Sequence, residues 1–196
     1  MYKYTDKILK YLNKQYIKLF RKAKALTSFD ELNVIPYSRD LYRELERLTK
    51  EAFLLLAKKI FEQELVEFDM ITEDGIFDIY DEYHPITKFV FNNEIERKRG
   101  RFAEGVIASP NKVKEIDTSM RYWVSMVNQY AIDITDRATL TAYEKKGVKK
   151  VQWVAEHDDR TCGECAKRDG KVYDIDKVPP KVHYGCRCKL IPYKGE

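Results

Sequence analysis

Hydrophobic positions recur at helical spacing along most of the chain. From about Tyr4 to Leu26 the apolar side chains fall at Ile8, Leu12, Tyr16, Leu19 and Ala23, with lysines on the other face, which predicts an amphipathic helix. The segment TSFDELNVIPYS breaks it, with Pro36 as the punctuation. From Ser38 to about Phe68 the set Leu41, Leu45, Leu48, Ala52 and Leu55 alternates by four and three. Unbroken, that stretch is a helix on the order of 45 Å long at 1.5 Å per residue. A helix of that length in a small protein predicts an elongated bundle.

The middle of the chain is less periodic. Gly75 and Pro85 interrupt short helices there, and a further helix is expected over 86–108. Ser109-Pro110 reads as an N-cap followed by a first-turn proline. Beyond it Met120, Val124, Val127, Ala131, Ile134 and Ala138 repeat the four-three seam. That helix ends near Gly147, with Lys145 and Lys146 in its last turn, where cations suit the helix dipole.

At Lys149 the period changes from helical to alternating. Val151, Trp153 and Ala155 lie on one side of a strand that runs into an Asp-rich turn. A short segment around Val172-Tyr173, a Pro179-Pro180 turn and a final strand CRCKLIPY follow. The expected fold class is therefore mainly α. An elongated helical body over 1–147 precedes a small α+β, zinc-binding-like C-terminal module over 148–196. The sequence shows no internal repeat.

Composition narrows the classes. The chain has 196 residues, 44% of them hydrophobic, enough for a buried core, and its 35% charged residues are of both signs and interspersed. The net charge of +4 permits contact with nucleic acid without demanding it. No segment approaches the roughly 18 consecutive apolar residues of a membrane span, so no membrane partner is expected. The N-terminal stretch lacks a signal-peptide core, and a reducing cytosol is the expected place of synthesis. There, thiols favour metal over disulfides.

All four cysteines lie between positions 162 and 188. Cys162 and Cys165 have the C-x2-C spacing that lets two thiolates reach one tetrahedral ion. His183, Cys186 and Cys188 form a second cluster about twenty residues on, in HYGCRC. That makes five candidate ligands for a four-coordinate Zn2+. Cys162, Cys165, Cys186 and Cys188 form the simplest set, and His183 in place of Cys186 or Cys188 gives a Cys3His alternative. A cysteine-rich sphere is usually closed, so a structural role is expected rather than a catalytic one. Two disulfides or packed thiols are the alternative for a unit with so little apolar material.

The run W153-V-A-E-H-D158-D-R160-T161-C162-x-x-C165, then D169-G170, P180-x-x-H183-x-x-C186-R187-C188 and L190-x-P192, resembles the phage Mu F-like head morphogenesis, or minor capsid, proteins. The resemblance covers about forty residues. It implies a minor head protein of a tailed phage, non-catalytic and located in the virion at the capsid interior or portal vertex. The implied partners are the portal protein and capsid or scaffold proteins, with double-stranded DNA packaged or delivered in some cases. On the same basis the Cys/His cluster is the family's motif.

Other features carry weaker signals. Asp158, Asp159, Arg160 and Thr161 read as turn formers, with Arg160 pairing Asp169. Arg97, Lys98, Arg99 and Arg101, in ERKRGR, form the densest basic run and are the candidate DNA contacts; the alternative is a solvated helix face. His84 and His157 stand alone and receive no role. Tyr122, Trp123 and Tyr130 are expected in the bundle core or at an interface. No P-loop, dinucleotide fingerprint, nucleophile elbow or HExxH helix is present. The rival classes are a zinc-stabilised nuclease and a free-standing DNA-binding module.

Overall fold

The computed structural model describes residues 2–66, 91–183 and 185–195. Among the described residues four helices form the body: α1 (Tyr2–Ala23), α2 (Glu31–Gln63), α3 (Phe91–Ala108) and α4 (Lys112–Lys145). The two longest, α2 and α4, pack on each other, and both α1 and α3 pack on each of them. A three-stranded antiparallel sheet follows, with β1 (Lys150–Val154) between β2 (Val172–Asp174) and β3 (Lys189–Pro192). A short helix, α5 (Gly163–Arg168), lies between β1 and β2. The chain is mainly helical with a small sheet at its end, as the periodicity predicts.

An aromatic knot joins the four helices. Trp123 of α4 receives the edges of Tyr16 of α1 and Tyr42 of α2, at centroid distances of 6.1 and 5.5 Å. Phe102 of α3 meets Phe20 of α1 and Tyr42 at 6.1 and 5.7 Å. Such edge-on pairs add to the large apolar area each ring buries. Burial pushes the Tyr16 and Tyr42 hydroxyls far above the usual phenol range. The Tyr16 hydroxyl is satisfied by Thr49 Oγ1 at 2.6 Å, and Thr49 in turn donates to the Leu45 carbonyl.

Several boundaries differ from the sequence reading. Helix α2 starts at Glu31, seven residues before Ser38, because Asp30 caps it by accepting from the Asn33 N–H at 3.2 Å. Pro36 therefore lies inside the helix. The carbonyl it leaves without a donor is that of Leu32, a residue 89% exposed, so water can reach it. The α4 cap is Asn111, which accepts from Lys114 N–H at 3.0 Å, not Ser109. Gly75, His84, Pro85 and 86–90 lie outside the described residues.

The α2 seam also drifts. Leu41, Leu45 and Ala52 are buried as expected, but Leu55 is 49% exposed while its neighbour Leu56 is fully buried. A strict four-three repeat has period 3.5, and a straight helix has 3.6, so the buried stripe walks around the helix by about 20° per heptad. By Leu56, Ala57 and Ile60 it has moved off the predicted line. On α4 Val127, Ala131, Ile134 and Ala138 of the seam are buried, joined by Trp123 and Tyr130, while Met120 and Val124 are half-buried against the same core. Tyr122, by contrast, is 62% exposed, with Lys98 Nζ 5.0 Å from its ring centroid.

The core has two clusters. The larger occupies the bundle; the smaller holds Val151, Trp153, Ala155, Leu190 and three cysteines. Tyr143, in the last turn of α4, belongs to the smaller cluster, and Leu140 packs against it. The end of α4 thus forms one wall of the C-terminal core, across the expected boundary at residue 147. Leu56→Ala should cost about 2–5 kcal/mol in chemical denaturation, and Leu55→Ala less than about 0.5 kcal/mol. Equal costs would restore the strict four-three seam.

Candidate metal centre

The route from β1 to the cysteines is fixed by a tight polar turn. Asp158 accepts from the Arg160 N–H at 3.1 Å, and its backbone N–H donates to Thr161 Oγ1 at 3.2 Å. Its carboxylate also takes both arms of Arg187, at 2.5 and 2.6 Å, binding the first turn to the final cysteine segment. That guanidinium holds the Asp158 carboxyl far below the usual carboxylate range. The expected Arg160–Asp169 pair does not form. Arg160 lies 3.7 Å from Asp158, while Asp169 accepts from the Ala155 N–H and sits 3.2 Å from His157 Nε2.

Cys162 then serves as the N-cap of α5, its Sγ accepting from the Cys165 N–H at 3.3 Å. That hydrogen bond is the chief influence drawing the Cys162 thiol below its usual pKa. After α5, Gly170 adopts a φ of 73°, a turn that lets its N–H reach the Trp153 carbonyl at 2.8 Å. Past β2 the chain returns through Pro179-Pro180, where the Pro180 carbonyl accepts from Arg168 at 2.8 Å. This return brings the second cluster over the first.

Cys165 is the hub. Its Sγ lies 3.4 Å from His183 Nε2 and 3.6 Å from Cys186 Sγ. Two triads share it: Cys162, Cys165 and His183, and Cys165, Cys186 and Cys188, with the donor atoms of each triad within 4.8 Å of one another. Around tetrahedral zinc, with bonds near 2.3 Å to sulfur and 2.0–2.1 Å to nitrogen, neighbouring donors stand about 3.8 Å (S–S) and 3.6 Å (S–N) apart. The observed spacings come close to those edges. All four cysteines are unbridged, and Cys165, Cys186 and Cys188 are buried. Burial drives the Cys165 and Cys186 thiols up, so as thiols they are inert packing groups. A dicationic metal would reverse that by favouring the thiolates. In donor type and spacing each triad suits three of the four corners of a zinc tetrahedron.

The expectation that CRCKLIPY forms one strand is corrected in part. Strand β3 begins at Lys189, and Cys186–Cys188 precede it as irregular chain. Gly185, at φ 68°, makes the turn into that chain and donates its N–H to Gln129 Oε1 of α4 at 3.1 Å. The basic run lies on α3. There Arg99 is paired with Glu96 at 2.6 Å and Lys98 lies over Tyr122, while Arg101 is exposed.

A group that sequence reasoning missed sits beneath the cysteines. Lys181, only 4% exposed, donates to the Cys188 carbonyl, lies 3.2 Å from Asp136 Oδ2 of α4 and stands 4.6 Å from the Trp153 ring centroid. Asp133, one turn back on α4, accepts from Gln129 at 3.1 Å. Gln129, Asp133 and Asp136 recur at helical spacing beside the apolar seam. This stripe was the available signal, but it reads as solvent face until a partner is known.

Two buried carboxyls lie here, and Lys181 pairs with Asp136. Burial, and then the neighbouring Asp136 charge, push the Asp133 carboxyl up to about 8; burial raises Asp136 as well, against the pull of Lys181.

The C-terminal part of this arrangement matches a known domain. Residues 99–191 match the sequence profile of the phage Mu protein F like family. The match takes in the end of α3, all of α4 and the module with its five candidate ligands. Residues 99–191 thus carry a phage Mu F-like domain, and that family points to phage head morphogenesis. No curated protein and no solved structure matches the chain. Among the described residues no helix is long and apolar enough to cross a membrane.

Between the ordinary carboxyl range and about pH 8 the folded state holds a proton on Asp133 that the unfolded chain releases. Stability on this account falls as pH rises through that window. Asp133→Asn, which keeps the acceptor for Gln129, should stabilise the protein by at least about 1 kcal/mol near pH 8 and leave it unchanged near pH 4. Thermal melts at both pH values check this; an equal effect at both would assign the change to packing.

Proposed function

We propose that this protein is a minor head component of a tailed phage that acts in procapsid assembly at the portal vertex, and that its C-terminal module is held together by one structural zinc. The observation that carries this reading is the family match over residues 99–191, which includes both the α4 platform and the Cys/His cluster. Four of Cys162, Cys165, His183, Cys186 and Cys188 hold the ion, with Cys165 in every set because it belongs to both triads. Zinc there contributes folding energy, on the order of 10 kcal/mol for small structural sites. The portal protein and the capsid or scaffold proteins are the partners of this reading.

A structural rather than catalytic role is supported by the surroundings of the cluster. His183 lies against Cys165, Asp158 is engaged with Arg187, and Glu164, between the first two cysteines, is paired with Lys167. A hydrolytic metal site keeps an open position and a free acid or base beside it.

Elemental analysis of protein purified without added metal should give near one zinc per chain. Cys165→Ser should lose most of it, with the Trp153 environment changed and the helical circular dichroism largely kept. A metal-free folded protein with intramolecular disulfides would contradict the zinc assignment. For assembly, co-expression with the portal and capsid proteins should leave the chain in sedimenting heads. Its absence from heads that assemble normally would defeat the head-protein reading.

A further inference from the structure

Positive charge is unevenly divided along this chain. Helix α1 carries six lysines and Arg21 against a single carboxylate, Asp6, a net of +6 in a chain whose total is +4. Everything outside α1 therefore nets −2. The cations at 7, 10, 14, 18, 21 and 22 are all exposed and fall on the face opposite Leu12, Tyr16 and Phe20, which the core consumes. Their partners differ from those of other cations. On α2, Arg43, Arg47, Lys50 and Lys59 are each paired with a carboxylate three or four residues away. Among the described residues Lys10, Lys14, Lys18 and Arg21 have no such pair.

These four cations line one bank of a groove between α1 and α4, with Asn13, Asn128 and, at one end, the single carboxylate Asp6 also lining it. Arg121 of α4 lines its continuation toward the start of that helix. Of the two carboxylates near the start of α4, Asp117 is paired with Lys24 at 2.6 Å and Glu115 lies against Gly105 of α3. From Lys10 to Arg21 the row is about 16 Å long at 1.5 Å per residue. A DNA duplex presents one phosphate charge per about 1.7 Å of axis, so each cation in such a row finds a phosphate within its reach.

We infer that the α1 face and its groove are a docking surface for the backbone of double-stranded DNA. The composition decides against the other polyanionic partners. Protein interfaces are depleted in lysine and enriched in aromatic and apolar anchors, whereas this stripe is built of lysine. An anionic membrane would need the apolar face of the same helix, and Leu12, Tyr16, Phe20 and Ala23 are fully buried. The contact is backbone-directed and sequence-independent, since the row consists of Lys and Arg side chains suited to phosphates. The surface is distinct from the ERKRGR run, whose Arg99 is paired with Glu96. It also stands apart from the head-protein reading, because α1 lies outside residues 99–191.

Fluorescence anisotropy of the full chain with a labelled duplex of about 30 base pairs tests it, and for four phosphate contacts affinity should fall roughly 100-fold between about 50 and 200 mM salt. The variant Lys10→Gln, Lys14→Gln, Lys18→Gln, Arg21→Gln should flatten most of that dependence, while Arg97→Gln, Arg99→Gln should keep it. In the wild-type protein, bound duplex should shield Lys10, Lys14 and Lys18 from acetylation, a readout independent of any variant. Salt-independent or absent binding overturns the inference, as does unchanged binding by the quadruple variant. So does competition by polyglutamate as strong as by DNA, which would make an acidic protein the occupant.

Discussion

A buried ammonium holds the two parts of this molecule together. Lys181 belongs to the cysteine module, yet its charge is matched by Asp136 of α4, the Cys188 carbonyl and the face of Trp153. Removing a charge from water costs several kcal/mol unless partners replace the lost solvation. Replacing either Lys181 or Asp136 alone would therefore leave the other as an uncompensated buried charge. Gln129 adds a second tie through Gly185, and Tyr143 and Leu140 complete the wall. The module is not a free appendage; its core is closed by a helix of the bundle.

That arrangement explains why the cysteines can be few and the module small. Its apolar core rests on Trp153, Val151 and Leu190 with help from α4, and so little burial rarely sustains an independent unit. The Arg187–Asp158 pair and the Cys165 hub bring the chain's return segment onto its starting turn. The same ties orient the family's C-terminal motif relative to α4, which leaves the outer faces of the bundle available for other partners. Charge differs between the helices: Lys10, Lys14, Lys18 and Arg21 of α1 lack a carboxylate partner, whereas Arg43, Arg47, Lys50 and Lys59 of α2 pair within their own helix.

Local periodicity was legible, and long-range pairing was not. The α4 seam, the alternation of Val151 and Trp153, and the convergence of two Cys/His clusters all follow from spacing within a short window. Leu55 misled because a four-three repeat hides the drift of a straight helix, and Pro36 because a proline near a helix start is tolerated. Asn111 caps α4 instead of Ser109, two residues earlier, a choice of backbone geometry that composition does not specify. Lys181 was invisible: a lone lysine in PPKVH reads as surface, and its carboxylate partner lies 45 positions earlier in the sequence. Arg187 was likewise quoted in the motif without a partner, since Asp158 is on another turn.

The dependence of the module on that ammonium is tested most directly by a double-mutant cycle between Lys181→Met and Asp136→Leu, read as unfolding free energies by chemical denaturation. Each single change leaves a buried partner stranded, so each should cost several kcal/mol, and the double variant should cost less than their sum by about 1–3 kcal/mol. Additivity within about 0.5 kcal/mol would mean that the two residues act independently, and that α4 and the module are held together by something else.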